Sequence, residues 1–351
     1  MYLSMVVFEE CLAEYHPRMT GHSDLIKIKF MGVQEAMEGQ EYLPDHMLLE
    51  HVEYFVSHPV PAAWGCLCIG EPPEDLFKNN ICLIFPENTD RTSLYHDVQK
   101  IFFLYNSWEM EIRKAMQRNA TLEEMCNLCI PIFEKPIFIH DRNNELLAIA
   151  NEMAGQFSWQ YDETFDKYYL PLEILNTFKS SDEYHKTLHT YGAHVFSAKA
   201  TGYRTLYVNL RIEWVYVGRV CLDEIGTPIR KRDYELLEFF ADNIALAMQQ
   251  GMLLVSDVSN VLSILFKEMI DGKSYTKNQL AKPFSYYKWH IDDMFQCITI
   301  FCRKSDNAIH TATNLTHRLA NMFPNSCVFR NEYQIILVLN LTLENMATDR
   351  F

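Results

Sequence analysis

The chain has 351 residues, enough for two or three domains that each bury a core. Hydrophobic residues make up 48% and charged residues 22%, the balance of an ordinary soluble globular protein. A formal net charge of −15 excludes a broad nucleic-acid-binding surface and a face for anionic membranes, because both need clustered Lys and Arg.

No apolar run approaches the ~20 residues that cross a bilayer. The start, "MYLSMVVFEECLAEYH", lacks a basic n-region and is interrupted by Glu9 and Glu10, so no signal peptide is expected. The ten cysteines are scattered like reduced, buried thiols. The sequons at Asn119, Asn314 and Asn340 carry no meaning in the cytoplasm, which is the expected location.

Residues 1–93 read as an N-terminal α/β module. "WGCLCIG" (64–70) and "NICLIFPE" (80–87) are short β-rich runs bounded by Gly, Pro and Asn, with "EPPEDLF" between them as a loop entering a short helix. A connecting helix over 94–118 follows. Its apolar residues Leu94, Val98, Ile101, Tyr105, Trp108, Ile112 and Ala115 recur in a heptad pattern that suits either a partner helix or the helix's own domain.

"TLEE" (121–124) has the form of a capping box and opens a second domain, 119–232. In "PIFIHDRNNELLAIAN" (136–151), Ile137 and Ile139 face away from Phe138 and His140, and Asn143-Asn144 suits a turn with positive φ. The helical stretch "YLPLEILNTFKSSDEYHKTLH" separates this hairpin from three strands, "AHVFSAKA" (193–200), "YRTLYVNLRI" (203–212) and "WVYVGRVCLDE" (214–224). An antiparallel sheet with helices to one side is the outline of a GAF or PAS-like sensor.

A long helix is expected over 233–271, with Asp233 as N-cap and Gly272 as its end. Leu237, Phe240, Ile244, Ala247, Gly251, Leu254, Val258, Val261 and Leu265 alternate spacings of 3 and 4, which predicts a coiled-coil-like helix roughly 55–60 Å long. A homodimer follows, with Leu237, Phe240, Ile244, Leu254, Val258, Val261 and Leu265 as its seam. Residues 272–351 read as a third α/β unit, with strands "FQCITIFC" (295–302) and "SCVFRNEYQIILVLNL" (326–341) around the helix "AIHTATNLTHRLANMF". The fold class is therefore multidomain α+β and α/β.

Catalytic signatures are missing. "GKS" (272–274) lacks the upstream glycine of a phosphate loop, since that position holds Lys267. Cys126 and Cys129 lie on a predicted helix and Cys66 and Cys68 in a distant strand, without a finger-spaced second pair, so buried thiols are expected in place of zinc. His185 and His189, with His194 nearby, have metal-compatible spacing but no zincin glutamate. No cofactor and no metal are expected. A small ligand is expected on the sheet face of 137–221, on His194, Phe196, Tyr207, Asn209 and Tyr216, where aromatic and polar side chains alternate. The alternative is that these residues only fill the domain core.

The stretches "LCIGEPPE…NICLIFPENTDRTSLYHDVQKIF", "PIFEKPIFIHDRNNELLAIA", "GTPIRKRDYELLEFFADNIALAM" and "LFKEMIDGKSYTKNQLAKPFSYYKWHIDDMFQCITIF" resemble the PucR/CdaR-type bacterial transcriptional regulators. The resemblance spans nearly the whole chain and rests on domain order and hydrophobic pattern. It implies a sensory module, a GAF or PAS-like region, a degenerate GGDEF-like domain and a C-terminal helix-turn-helix. Here "FRNEYQII" (329–336) replaces the cyclase motif, and no helix-turn-helix follows residue 341. The expected function is thus ligand sensing and dimerisation without catalysis, with an unknown small-molecule effector and no DNA binding by this chain alone. The competing readings are a stand-alone interaction scaffold and a nucleotide-processing enzyme.

Overall fold

The computed structural model describes residues 1–21, 23–35, 42–142, 144–162, 167–212, 215–254, 259–285, 287–302, 315–316, 319, 322–323, 325–331 and 334–343. Residues 1–209 with 219–243 form one compact unit, and 210–218 with 244–351 a second.

The first unit opens with β1 (Leu3–Ser4), α1 (Met5–Cys11), β2 (Arg18–Thr20), β3 (Lys29–Phe30), β4 (Gly32–Glu35), β5 (His46–His51), α2 (Val52–Ser57), β6 (Gly65–Ile69) and β7 (Ile81–Phe85). A five-stranded sheet runs β2-β7-β6-β5-β4, parallel from β4 to β7 and antiparallel at β2. β6 and β7 are buried at every position, as continuous apolar runs covered on both faces should be. The helix expected after "EPPEDLF" is replaced by turns over 74–79, and Phe77 from that stretch reaches the core beside Phe55 and Cys82.

α3 (Arg91–Gln117) starts at Asp90, whose carboxylate accepts from the Ser93 amide at 2.8 Å. The whole heptad stripe from Leu94 to Ala115 is buried within the chain. α4 (Leu122–Asn127) carries the expected capping box, with both Thr121–Glu124 bonds at 3.1 Å, and α5 (Ile130–Phe133) follows.

The hairpin is β8 (Ile137–Asp141) and β9 (Leu146–Ala150). Asn144 adopts φ of 63°, while Asn143 lies outside the described residues. A second hairpin, β10 (Gln160–Asp162) and β11 (Lys167–Tyr169), was not legible as strands. The expected helical stretch is two helices, α6 (Leu172–Lys179) and α7 (Asp182–Thr187), because the Ser181 hydroxyl caps a new start at the Tyr184 amide. β12 (Ala193–Phe196), β13 (Thr205–Ile212) and β14 (Val215–Asp223) complete a sheet of order β12-β13-β14-β8-β9.

α8 (Lys231–Leu254) begins two residues before Asp233, the expected N-cap. Asp233 instead reaches back from the first turn to the Arg230 amide at 2.9 Å and pairs with Lys135 at 2.9 Å, both side chains inaccessible. α1 serves the same helix end: the Glu10 carboxylate accepts from the amides of Lys231 and Arg232 at 2.8 and 3.1 Å. This satisfies backbone donors that have no partner within the helix.

The heptad seam has a different role from the one its spacing suggested. Leu237 and Phe240 are fully buried inside one chain, and Phe240 stacks 6.4 Å from Trp108 of the α3 stripe. Ile244, Val261 and Leu265 are buried as well. Side chains without accessible surface have none to offer a partner, so this part of the seam is a core stripe. Val258 and the side chain of Leu254 lie outside the described residues, as does the helix's passage through 255–258.

α9 (Ser259–Ile270) belongs to the second unit, with α10 (Lys277–Ser285), β15 (Phe295–Phe301), β16 (Ser326–Asn331) and β17 (Gln334–Asn340). The sheet is antiparallel in the order β15-β17-β16, and α9 packs on β16 through a core that includes Leu262, Phe284, Trp289 and Phe329. Gly272, at φ of 93°, terminates α9, and the amides of Gly272 and Lys273 bond back to Met269 and Glu268. The Lys273 ammonium pairs with Glu268 at 2.9 Å, so "GKS" is a helix end. Most of the expected helix over 308–323 lies outside the described residues.

Candidate ligand-binding site

Strand alternation gives the β12-to-β9 sheet two unlike faces. On one, Ile137, Ile139, Leu206, Val220 and Leu222 are buried and entirely apolar. The other carries Phe138 and His140 from β8, Phe196 from β12, Thr205, Tyr207 and Asn209 from β13, and Arg219, Cys221 and Asp223 from β14. Phe157, Leu170, Phe178, Tyr184 and Thr201 cover this face and leave an enclosed cavity of about 40 Å³.

Aromatic rings form two walls. Phe178 and Tyr184 stack at 4.6 Å, with Phe196 edge-on to both. Opposite, Phe138, Phe157 and Trp159 lie 5.2–6.2 Å apart. Arg219 is 4% exposed, and its guanidinium sits 4.7 Å from the Tyr207 ring and 5.5 Å from the Tyr184 ring. Arg219 also donates to the Thr187 hydroxyl at 3.1 Å. Stacking and hydrogen bonding together fix the plane of the guanidinium.

His140 places Nδ1 2.8 Å from the Asp141 carbonyl, so Nδ1 carries the proton. Burial, reinforced by the Arg219 charge, pushes its pKa down to about 3. It is therefore a neutral wall residue near pH 7. Asp223, fully buried, accepts from Thr205 Oγ1 at 2.7 Å and Gln156 Nε2 at 3.0 Å, yet burial still pushes it up to about 6. Burial likewise raises the Tyr184 hydroxyl and the Cys221 thiol.

Of the ligand residues expected from sequence, Phe196 and Tyr207 line the cavity. His194 pairs with Tyr207 across β12 and β13 but is exposed at the rim, where Nε2 meets the Tyr191 carbonyl at 3.0 Å. Asn209 braces the cover by donating to the carbonyls of Thr187 and Thr190 at 2.7 and 3.1 Å. Tyr216 is misplaced by one residue: alternation puts it with Val220 and Leu222, away from Arg219, and Arg211 lies 5.9 Å over its ring. His140, Thr205, Arg219 and Cys221 were missed. A mid-strand arginine on the same parity as Cys221 and Asp223 in "WVYVGRVCLD" was the available signal.

The metal candidates stay apart. Cys126 and Cys129 are buried, and burial pushes the Cys126 thiol up to about 12. Among the described residues, no group of three or more His, Cys, Asp or Glu could hold a metal ion, and no helix is long and apolar enough to cross a membrane.

No family model matches the sequence, and no curated protein matches it. Similar solved structures include the cofactor-binding GAF domain of the nutrient sensor CodY from Clostridium difficile, at 12% identity, covering 41% of this chain and 97% of that one with a TM-score of 0.30. The phycoerythrobilin-bound GAF domain of a cyanobacterial phytochrome is similar at 10% identity over 42% of this chain and 96% of that one, TM-score 0.33. The phycocyanobilin-bound GAF domain of a cyanobacterial phytochrome gives 11%, 42%, 95% and 0.31.

Proposed function

We propose that this chain is the ligand-sensing and dimerising region of a cytoplasmic transcriptional regulator of PucR/CdaR type. Residues 119–232 act as its GAF-type sensor. The observation that carries this reading is the enclosed cavity, in which aromatic walls surround a buried guanidinium. Mostly apolar walls with a few fixed polar groups are the ordinary form of a small-molecule site. Occupancy is relayed through β14, which carries Arg219 and Cys221 and leads by way of Glu224 into α8. That link is stiff: Glu224 accepts from the Ile229 amide at 3.0 Å and from Arg204 at 2.5 and 2.6 Å.

The region is non-catalytic in this reading. A buried thiol with a raised pKa is a poor nucleophile, and a histidine titrating near 3 is a poor base at neutral pH. It pairs as a homodimer; the support is the outward face of α3, where Phe103 is 75% and Met110 51% exposed one heptad apart. With a charge of −15 it does not bind DNA by itself.

The test is a thermal-shift screen of small metabolites on the whole chain and on Cys221→Met, a flexible side chain that fills the cavity. A compound that stabilises the parent chain and loses its effect in Cys221→Met supports the reading. Failure of every compound, or equal stabilisation of both proteins, overturns it.

A further inference from the structure

The lining of the cavity also specifies the charge and size of its ligand, an inference that rests on the sensor reading above. Arg219 is the single cation in the wall, because His140 is neutral, and none of the described lining residues is a carboxylate. A guanidinium held flat between Tyr184 and Tyr207 presents a planar fork of donors, the geometry that matches a carboxylate. The hydroxyls of Thr201 and Thr205 are the neutral polar groups beside it.

Size follows from volume. About 40 Å³ of enclosed space holds about three waters. That is the room of a molecule of about four to six non-hydrogen atoms, well short of the ~150 Å³ that admits benzene. Beyond the polar end only Phe138, Phe178, Phe196 and Cys221 remain to be touched, so the far end of the ligand must be apolar.

We propose that the cavity binds a short-chain organic carboxylate, its carboxylate on Arg219 and its alkyl end among Phe138, Phe178 and Phe196. Arg219 is a ligand-binding residue and performs no chemistry. An aromatic acid or a nucleotide is too large for the cavity unless its walls move apart.

Calorimetric titration of the whole chain with isobutyrate and with its neutral isostere isobutyramide tests this without any substitution. The expected result is saturable binding of isobutyrate and at least about tenfold weaker binding of the amide, the loss of one charge-assisted contact. Arg219→Lys keeps the charge and removes the fork, and should weaken isobutyrate by a similar factor while leaving the amide unchanged. Binding of the amide as tightly as the acid would overturn the anionic class, and so would failure of both probes while the metabolite screen finds an uncharged or cationic compound displaced by Cys221→Met. Either result leaves the sensor reading standing. If both the probes and the screen fail, both conclusions fall.

Discussion

Two five-stranded sheets share the first unit, and they bury different chemistry. The N-terminal sheet is filled by Leu48, Phe55, Cys66, Cys68, Phe77, Cys82 and Ile84, all apolar or thiol. The second sheet is equally dry on one face, yet on the other it buries Arg219, His140, Asp223 and Thr205. Burying such groups costs stability even when they are hydrogen-bonded, whereas apolar filling of the same volume does not. The first sheet is thus built to hold, and the second carries a polar cluster whose cost is explained by what it can bind.

The largest expected effect concerns acid. His140 titrates at about 3 in the folded chain against the usual 6.5, a difference equivalent to roughly 5 kcal/mol. Its contribution is complete above pH 6.5 and is lost as pH falls toward 3. Asp223 works in the opposite sense. Its pKa is raised from 3.8 to about 6, so the fold bears a penalty of roughly 3 kcal/mol above pH 6 that is relieved as pH falls toward 4. Between pH 6 and 4 the two slopes oppose each other. Denaturant midpoints across this range should show the stability of the parent relative to His140→Gln falling with acid, and relative to Asp223→Asn rising. Parallel curves for all three proteins would erase the contrast between the sheets.

The same contrast explains what could be read from sequence. β6 and β7 were legible because a strand covered on both faces is a continuous apolar run between breakers. The Thr121–Glu124 cap was legible because its partners are three residues apart. The cavity was only half legible. Phe196 and Tyr207 stand out by alternation, but the cover over them comes from residues 157–201, far from β8 and β14 in sequence. The heptads of α3 and α8 misled for a related reason. A stripe spaced 3 and 4 fits any apolar surface, and here Trp108 and Phe240 meet within one chain. The ion pair Lys135–Asp233, 98 residues apart, leaves no local pattern at all.

A second test removes packing from each sheet. Phe55 is fully buried, edge-on to Phe77 at 5.2 Å, and Phe55→Ala should cost about 3–5 kcal/mol by urea denaturation. Phe196→Ala removes the same ring from the cavity wall, where the new space joins a void flanked by Thr201 and Thr205 that can admit hydrogen-bonded water. Its loss should be smaller. Equal losses would mean that the cavity wall is as tightly closed as the N-terminal core.

The smallest effect offers the closest matched pair, because each sheet buries a thiol on a central strand. Cys82 is fully buried and stands opposite Cys66 on the neighbouring strand, while Cys221 is 4% exposed and lines the cavity. Replacing either with Ala removes one buried sulfur, about 1 kcal/mol of burial, and adds a cavity cost that rises by about 24 cal/mol for each Å³ left empty. At Cys82 nothing nearby can use the gap except apolar atoms and other thiols, so that added cost is paid in full. At Cys221 the gap merges with existing space beside Arg219 and Thr205, and water held by those groups fills part of it. Cys82→Ala should therefore be less stable than Cys221→Ala by a few tenths of a kcal/mol, read as a difference in denaturant midpoint at unchanged slope. Cys221→Ala should also extend binding to a carboxylate one methylene longer than the parent accepts, whereas Cys82→Ala should leave ligand selection untouched. If the two substitutions proved equally costly and neither changed the preferred chain length, Cys221 would be a core residue like Cys82, and the second sheet would have no special face.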